Sequence, residues 1–183
     1  RDLVGLAQTG TGKTAAFGLP LIHFTDFNKK HTQALIICPT RELCLQITRD
    51  LTNFSANYDN ANVVAIYGGA SIENQIREIN RGAQIIVATP GRMVDMIDRG
   101  RIKLNAVTTV VLDEADEMLN MGFKEDLDSI LSETPEDKST WLFSATMPNE
   151  VARIAKNYMS NPIEVTVGKQ NQGAENIEHK YYM

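Results

Sequence analysis

The residues with the clearest chemistry form a glycine-rich run near the start of the chain: Ala7, Gln8, Thr9, Gly10, Thr11, Gly12, Lys13 and Thr14. A short apolar segment precedes this run, and a segment that can be helical follows it. A glycine-rich turn between a strand and a helix points several backbone N–H groups and a positive helix N-terminus at one concavity. Lys13 adds a full positive charge, and the Thr14 hydroxyl has the spacing of a magnesium ligand. The run therefore predicts a site for a nucleoside triphosphate and Mg²⁺.

A pair of carboxylates lies far downstream, where the apolar run 109–112 leads directly into Asp113 and Glu114. A buried strand that ends in a carboxylate can deliver the charge beside a phosphate-bound metal, so Asp113 is the predicted metal partner, through water. Glu114 is predicted to polarise a water for in-line attack on the γ-phosphate. The alternative is an exposed helix N-terminus, where carboxylates are favoured without any catalytic role. In combination with Lys13, the pair indicates a nucleotide hydrolase.

Short apolar runs alternate with segments that can be helical. The runs predict strands at 3–6, 34–38, 63–67, 84–88, 109–112, 140–143 and 163–167, and the segments predict helices at 13–24, 41–54, 71–80, 92–98, 124–131 and 150–158. Most runs are continuously apolar, as strands covered on both faces are. We therefore expect an α/β fold of the P-loop NTPase type, with a mainly parallel sheet of about seven strands and helices on both faces. Ligands of such sheets gather at the carboxyl ends of the strands.

Composition indicates a single soluble domain. The chain has 183 residues, of which 43% are hydrophobic and 22% charged, and its net charge of −5 argues against gripping nucleic acid by bulk electrostatics. It has no apolar run of membrane-spanning length and no signal peptide, so we expect a cytoplasmic protein without a membrane partner. Cys38 and Cys44 are predicted to be buried, reduced thiols. The aromatic residues Phe17, Phe24, Phe54, Phe123 and Trp141, together with Met118, Leu119 and Met121, are predicted to pack in the core.

The residues 113–116 spell Asp-Glu-Ala-Asp, and with this motif the sequence resembles the DEAD-box RNA helicase family. Five more motifs occur in the order of that family: Ala7 to Thr14, Pro39-Thr40-Arg41-Glu42-Leu43, Gly68-Gly69, Thr89-Pro90-Gly91-Arg92 and Ser144-Ala145-Thr146. The general P-loop pattern has glycine where Ala7 stands, whereas alanine is usual in this family. A GTPase is disfavoured, since the nearest approach to a guanine-reading Asn-Lys-x-Asp ends in His31.

The resemblance implies roles for the remaining motifs. Ten residues are expected to contact the sugar-phosphate backbone of RNA: Pro39, Thr40, Arg41, Glu42, Gly68, Gly69, Thr89, Pro90, Gly91 and Arg92. Thr40 and Thr89 are each predicted to cap the N-terminus of a helix with an arginine in its first turn. Such a helix N-terminus is suited to binding backbone phosphates without regard to base identity. Ser144 and Thr146 are expected to hydrogen-bond to Asp116 and so couple hydrolysis to strand separation. The alternative is that they end a strand and cap the next helix.

The resemblance also implies a domain plan. Residues 1–168 are expected to form a RecA-like ATP-binding domain, and 169–183 to begin the connection to a second RecA-like domain of the same polypeptide. The segment that reads adenine in the family would precede Arg1, so ATP as the nucleotide is inferred from the resemblance. The chain looks like a fragment of a longer protein. We expect it to be a monomer. Two other functions stay open: a DNA-directed motor with the same ATPase core, and an ATP-gated RNA clamp with little turnover.

Overall fold

Strands and helices alternate along the described part of the chain, except at one place where two helices follow one another. In this computed structural model, the described part comprises residues 1–8 and 10–167. The strands are β1 (Leu3–Leu6), β2 (Ala34–Ile37), β3 (Val63–Ile66), β4 (Ile85–Ala88), β5 (Thr109–Leu112), β6 (Ser139–Ser144) and β7 (Ile163–Thr166). The helices are α1 (Lys13–Phe24), α2 (Arg41–Phe54), α3 (Ile72–Asn80), α4 (Pro90–Asp98), α5 (Ala115–Asn120), α6 (Lys124–Ser132) and α7 (Asn149–Tyr158). The expected connection at 169–183 lies outside the described residues.

The seven strands form one parallel sheet in the order β3-β4-β2-β5-β6-β1-β7. The predicted α/β fold class is thus confirmed. Because all strands run in the same direction, the residues that follow them in the chain emerge along a single edge of the sheet. This edge carries the glycine-rich run after β1, the paired carboxylates after β5 and the segments after β2, β3 and β4.

The sheet separates two apolar layers. Alternate residues of β2 face opposite sides: Leu35 and Ile37 pack with helices α3 to α7, whereas Ala34 and Ile36 pack with α1 and α2. The strands β2, β4 and β5 are buried at every position, in line with their continuously apolar sequences. The central strands are therefore fixed from both sides, and the loops at their carboxyl ends have a rigid support.

Local signals explain where several helices begin. The Thr40 hydroxyl accepts a hydrogen bond from the Leu43 N–H, and the Ser71 hydroxyl accepts one from the Asn74 N–H. Pro90 occupies the first turn of α4, where its missing N–H costs nothing. At the opposite edge of the sheet, the buried Asp2 carboxylate accepts hydrogen bonds from the backbone N–H groups of Thr140 and Ser160.

The sequence predictions failed in two places. Helix α5 was not predicted, because its six residues follow directly on Glu114 and present a run of acids. The prediction of a core position was wrong for Phe24, Phe54 and Met121, which are 70%, 36% and 48% exposed. Phe54 is the last residue of α2. Phe24 is the last residue of α1, and Met121 lies just beyond α5. Side chains at helix ends can point away from the core even where the apolar pattern continues.

Gly5 provides a test of the packing between β1 and β6. A Cβ at Gly5 would lie 2.7 Å from Cδ1 of Phe143, whose ring is buried and packs against Phe17. We expect Gly5→Ala to lower the free energy of unfolding by about 1–3 kcal/mol, since the ring must move within a filled core. Urea denaturation measures this change. Gly68→Ala is the control, because nothing lies within 4 Å of a Cβ there; equal stability of G5A and wild type would contradict the packing.

Candidate functional site

The glycine-rich run forms a turn between β1 and α1. Gly10 and Gly12 have φ values of 83° and 85°, which favour glycine, and the Thr11 hydroxyl donates to the Gln8 carbonyl at 2.7 Å. A Cβ at either glycine would meet nothing within 4 Å, so the turn faces open space. Ala7 has no positive φ, which explains why alanine suffices where the general pattern has glycine. Thr9 lies outside the described residues.

Lys13 and Asp113 meet at the centre of this edge. The Lys13 Nζ lies 3.9 Å from Oδ1 of Asp113, and their side chains are 9% and 3% exposed. Lys13 is the first residue of α1, and Asp113 follows β5 with its N–H bonded to the Ile37 carbonyl of β2. The two charges that the sequence predicted at one site are therefore adjacent, although far apart in the chain.

The environment of Asp113 raises the pKa of its carboxyl. Burial raises the pKa of Asp113 to about 6, the Lys13 charge opposes this rise, and the charges of Glu114 and Asp116 add to it. Glu114 has a left-handed backbone with φ of 55°, so the chain turns sharply between the two carboxylates. Such a conformation is unfavourable for a non-glycine residue and turns Glu114 into a different direction from Asp113.

Asp116 is bonded to the segment after β6. The Asp116 carboxylate accepts hydrogen bonds from the Thr146 hydroxyl at 2.7 Å and from the Thr146 N–H at 2.9 Å. The Asp116 N–H donates to the Ser144 hydroxyl at 3.2 Å. Burial acts to raise the pKa of Asp116, but hydrogen bonds from Thr146 and Ser144 outweigh it, so this pKa lies below its usual value. The carboxylate is thus held ionised, and the role of these contacts in coupling stays a prediction.

Ser144 connects this contact to the glycine-rich turn. Its carbonyl accepts the Ala7 N–H at 3.0 Å, while its hydroxyl accepts the Asp116 N–H. A cavity of about 350 Å³ opens beside these residues, with Lys13, Thr40 and Glu114 among those lining it. The turn, the carboxylates and the segment after β6 are therefore parts of one site.

The donor set of this site suits Mg²⁺ held jointly with phosphate. Thr14, which follows Lys13, is half-buried and supplies a hydroxyl, and Asp113 supplies a carboxylate. Within the described ranges, no three His, Cys, Asp or Glu side chains cluster as metal ligands. Because Mg²⁺ needs six oxygen ligands and keeps several waters, a site with so few protein ligands fits a metal bound through substrate phosphates.

The segments after β2, β3 and β4 form the other half of the edge. Arg41, exposed at the start of α2, lies over the Tyr67 ring at 5.0 Å from its centroid. A Cβ at Gly69 would lie 3.6 Å from Nη1 of Arg41, and Gly69 has a φ of 77°. Gly68, Gly69 and Gly91 are exposed, as are Arg41 and Glu42, whereas Pro39 and Pro90 are buried and Thr40 and Thr89 are half-buried.

Arg92 is directed inwards. Its Nη1 donates to the Ala70 carbonyl and to Oε1 of Gln75, both at 3.2 Å, and its Nε lies 4.0 Å from Asp95. The Thr89 hydroxyl makes no capping bond to α4.

Gln75, the partner of Arg92, was not predicted from the sequence. The sequence does contain a signal for it, because Gln75 interrupts the apolar stripe of α3 formed by Ile72, Ile76 and Ile79. A polar residue on an apolar helix face needs partners once it is buried.

The raised pKa of Asp113 predicts a pH dependence of stability. A carboxyl with a higher pKa in the folded state stabilises the fold below its unfolded pKa, and this contribution is lost as the pH rises through about 6. Between about pH 5 and about pH 7.5, the wild type should lose on the order of 1 kcal/mol relative to Asp113→Asn. Urea unfolding of both proteins in chelator, without nucleotide, measures the difference. Parallel losses in the two proteins would contradict it.

Known proteins of similar sequence match nearly the whole of this chain. The ATP-dependent RNA helicase DeaD of Mycobacterium tuberculosis is 49% identical over 180 residues, covering 98% of this chain and 32% of the relative. The ATP-dependent RNA helicase CshA of Listeria monocytogenes is 50% identical over 179 residues, covering 97% of this chain and 34% of the relative. The chain thus spans about a third of the length of these relatives.

Solved structures agree in fold. A DEAD box protein from the hyperthermophile Methanococcus jannaschii matches with a TM-score of 0.86 and 43% identity, over 90% of this chain and 45% of that one. The yeast DEAD-box splicing factor Prp28 matches with a TM-score of 0.88 and 33% identity, over 94% of this chain and 42% of that one. The family model for DEAD/DEAH box helicases matches residues 1–154. With its fold, its paired carboxylates and these relatives, the chain belongs to the DEAD/DEAH box helicase family.

Proposed function

We propose that this chain is the ATP-binding and ATP-hydrolysing domain of an RNA helicase, which couples hydrolysis to RNA binding and local separation of strands. The observation that carries the proposal is the approach of Lys13 to Asp113, two nearly buried opposite charges at 3.9 Å. Such a pair beside a glycine turn is suited to the phosphates and metal of a nucleotide. The names of the relatives, which are called ATP-dependent RNA helicases, support ATP and RNA as the ligands.

In this proposal, α1 and the turn before it hold the triphosphate. Backbone N–H groups of the turn, from Gly10 to Lys13, face the phosphates, and the Lys13 ammonium binds the outer ones. Thr14 and Asp113 would hold Mg²⁺, and the bound ion would neutralise charge on the phosphates. The exposed position of Gln8 and the opening of the turn towards solvent are consistent with entry of the nucleotide from this side.

Glu114 is the proposed base. Its left-handed backbone directs it away from Asp113, towards the cavity that both Lys13 and Glu114 line. There it accepts a proton from the water that attacks the γ-phosphorus, while the oxygen bridging to the β-phosphate leaves. We expect this chain to hydrolyse ATP slowly by itself. The family resemblance implies that a second RecA-like domain supplies arginines to the γ-phosphate, and such arginines raise kcat about 10³- to 10⁵-fold.

RNA is proposed to bind along the other half of the edge, through its sugar-phosphate backbone. Exposed Arg41, the open turn at Gly68 and Gly69 and the N-terminus of α4 offer positive charge and backbone donors without a base-reading surface. This local surface is compatible with the net charge of −5. None of the helices in the described part of the chain has the length and apolarity to cross a membrane. A monomer in the cytoplasm remains part of the proposal.

Two substitutions separate binding from turnover in the full-length protein. Lys13→Ala should weaken ATP binding about 10- to 100-fold, since it removes a charged donor to phosphate. Glu114→Gln should retain ATP and RNA binding but lower kcat about 10²-fold or more. Fluorescent-nucleotide binding and steady-state ATPase assays with RNA or DNA measure these effects. Glu125→Gln, an exposed carboxylate on α6, is the control.

The same assays discriminate the alternatives. Equal stimulation of the ATPase by DNA and RNA would favour a DNA-directed motor. An unwinding activity that survives Glu114→Gln would contradict the role of hydrolysis and would favour an ATP-gated clamp.

The contact between Thr146 and Asp116 predicts a second separation of functions. Thr146→Val removes the hydroxyl bond of 2.7 Å but leaves the backbone bond of 2.9 Å. We expect duplex unwinding to fall about 10-fold while ATP affinity changes less than about 2-fold, because one charge-assisted hydrogen bond is lost away from the phosphates. A strand-displacement assay and nucleotide titration test this. Thr52→Val, an exposed position on α2, is the control, and equal losses in both assays would contradict the coupling role.

A further inference from the structure

One buried glutamine joins the segments after β3 and β4. Gln75 is 4% exposed on α3, and both ends of its amide are occupied. Its Nε2 donates to the Tyr67 carbonyl at 3.0 Å, and its Oε1 accepts from Nη1 of Arg92 at 3.2 Å. Tyr67 is the residue directly before Gly68, and Arg92 lies in the first turn of α4. The single side chain therefore links the glycine turn to the helix N-terminus.

Two further contacts extend this link. Arg92 also donates to the Ala70 carbonyl, so the turn is held on both sides of Gly68 and Gly69. The Tyr67 ring carries the guanidinium of Arg41, which belongs to the segment after β2. A shift of Tyr67 would thus displace Arg41 as well. All three segments that are proposed to contact RNA are connected through Gln75.

The chemistry of the position requires an amide. The Tyr67 carbonyl needs a donor and the Arg92 guanidinium needs an acceptor, and an amide side chain presents one of each at fixed separation. A glutamate at this position would keep an acceptor for Arg92, but one of its carboxylate oxygens would face the Tyr67 carbonyl, where a donor is needed. A methionine has a similar length but offers neither a donor to Tyr67 nor an acceptor to Arg92. A buried residue that ties two loops together in this way sets their relative position instead of simply filling space.

We propose that Gln75 is a positioning residue for RNA backbone binding, holding the Gly68–Gly69 turn, the α4 N-terminus and Arg41 at the separation that successive phosphates require. This inference rests on the proposed function, because it takes the RNA site to lie along these segments. Arg92 then acts chiefly as the brace between Gln75 and Ala70. Gln75 itself touches no RNA.

Because Gln75 lies far from the glycine-rich run, its effect on RNA binding can be separated from ATP binding. It lies on the helix after β3, and five strand-to-strand steps separate β3 from β1 in the sheet. At about 4.8 Å per step, this is roughly 24 Å from the glycine-rich run. A change at Gln75 should therefore alter RNA affinity and leave nucleotide affinity in the absence of RNA unchanged.

The test compares Gln75→Met and Gln75→Glu in the full-length protein. Binding of a fluorescently labelled single-stranded oligouridylate is measured by anisotropy across a salt series, and ATP affinity is measured without RNA. We expect Q75M to weaken RNA binding ~10-fold or more and to lower the salt slope by about 1, the signature of a lost phosphate contact. Q75E should lose less, because it retains the acceptor for Arg92. ATP affinity should stay within about 2-fold for both variants.

Gln84→Met is the matched control for stability. Gln84 is another glutamine, 3% exposed, but its amide bonds to the Asn62 N–H and to the carbonyls of Phe27 and Lys29, at the amino ends of the strands. Urea denaturation should show losses of similar size in Q84M and Q75M, whereas only Q75M should lose RNA affinity.

The outcomes separate the two proposals. Wild-type affinity for RNA in folded Q75M, or an equal loss of affinity in Q84M, would overturn the positioning role. Absence of RNA binding by the wild type would instead overturn the proposed function. If Q75M does not fold, Q75E decides the question: unchanged RNA affinity and salt slope in Q75E would overturn the role.

Discussion

The structure depends on a pair of opposite charges that are almost removed from water. Lys13 and Asp113 lie 3.9 Å apart with side chains 9% and 3% exposed, and neither would be stable in that place alone. Desolvation is large enough to raise the pKa of Asp113 to about 6 even with the ammonium nearby. The pair is therefore incompletely compensated without a ligand. A site with this property gains from binding an anion together with a cation, because phosphate satisfies the lysine and a metal satisfies the carboxylate.

The parallel sheet is what makes this pair possible. Asp113 and the glycine-rich turn are delivered by β5 and β1, which both pair with β6, and Ser144 at the end of β6 bonds to both neighbours. The Ser144 carbonyl holds Ala7, and its hydroxyl holds Asp116. A small movement of the turn can thus reach the acidic segment through one residue. Asp116 continues the chain of contacts to Thr146, which lies in an exposed loop.

The second half of the edge is constructed differently. Among the residues that the structure describes, it has no buried charge pair of that kind. Its segments are tied by hydrogen bonds of backbone carbonyls to Gln75 and Arg92 and by the stacking of Arg41 on Tyr67. Such an arrangement fixes loop positions while leaving glycines and helix termini open to solvent. It suits a ligand that is recognised by its repeating charged backbone, whereas the first half suits one small, highly charged ligand. The continuous sheet joins the two halves mechanically.

The sequence by itself predicted the seven strands, six of the seven helices, a mainly parallel sheet and a set of candidate residues for a nucleotide site, because these depend on local signals. Apolar runs predict buried strands, glycines predict turns, and lysine and carboxylates at strand ends reveal their chemistry by type alone. Only the tertiary structure decided which residues meet outside these motifs. The inward direction of Arg92, its bond to Gln75 and the exposure of Phe24 depend on neighbours from distant parts of the chain. Helix α5 likewise begins after a left-handed backbone at Glu114, which no local preference favours. The packing of Ala115, Met118 and Leu119 against the core outweighs the free-energy cost of this conformation.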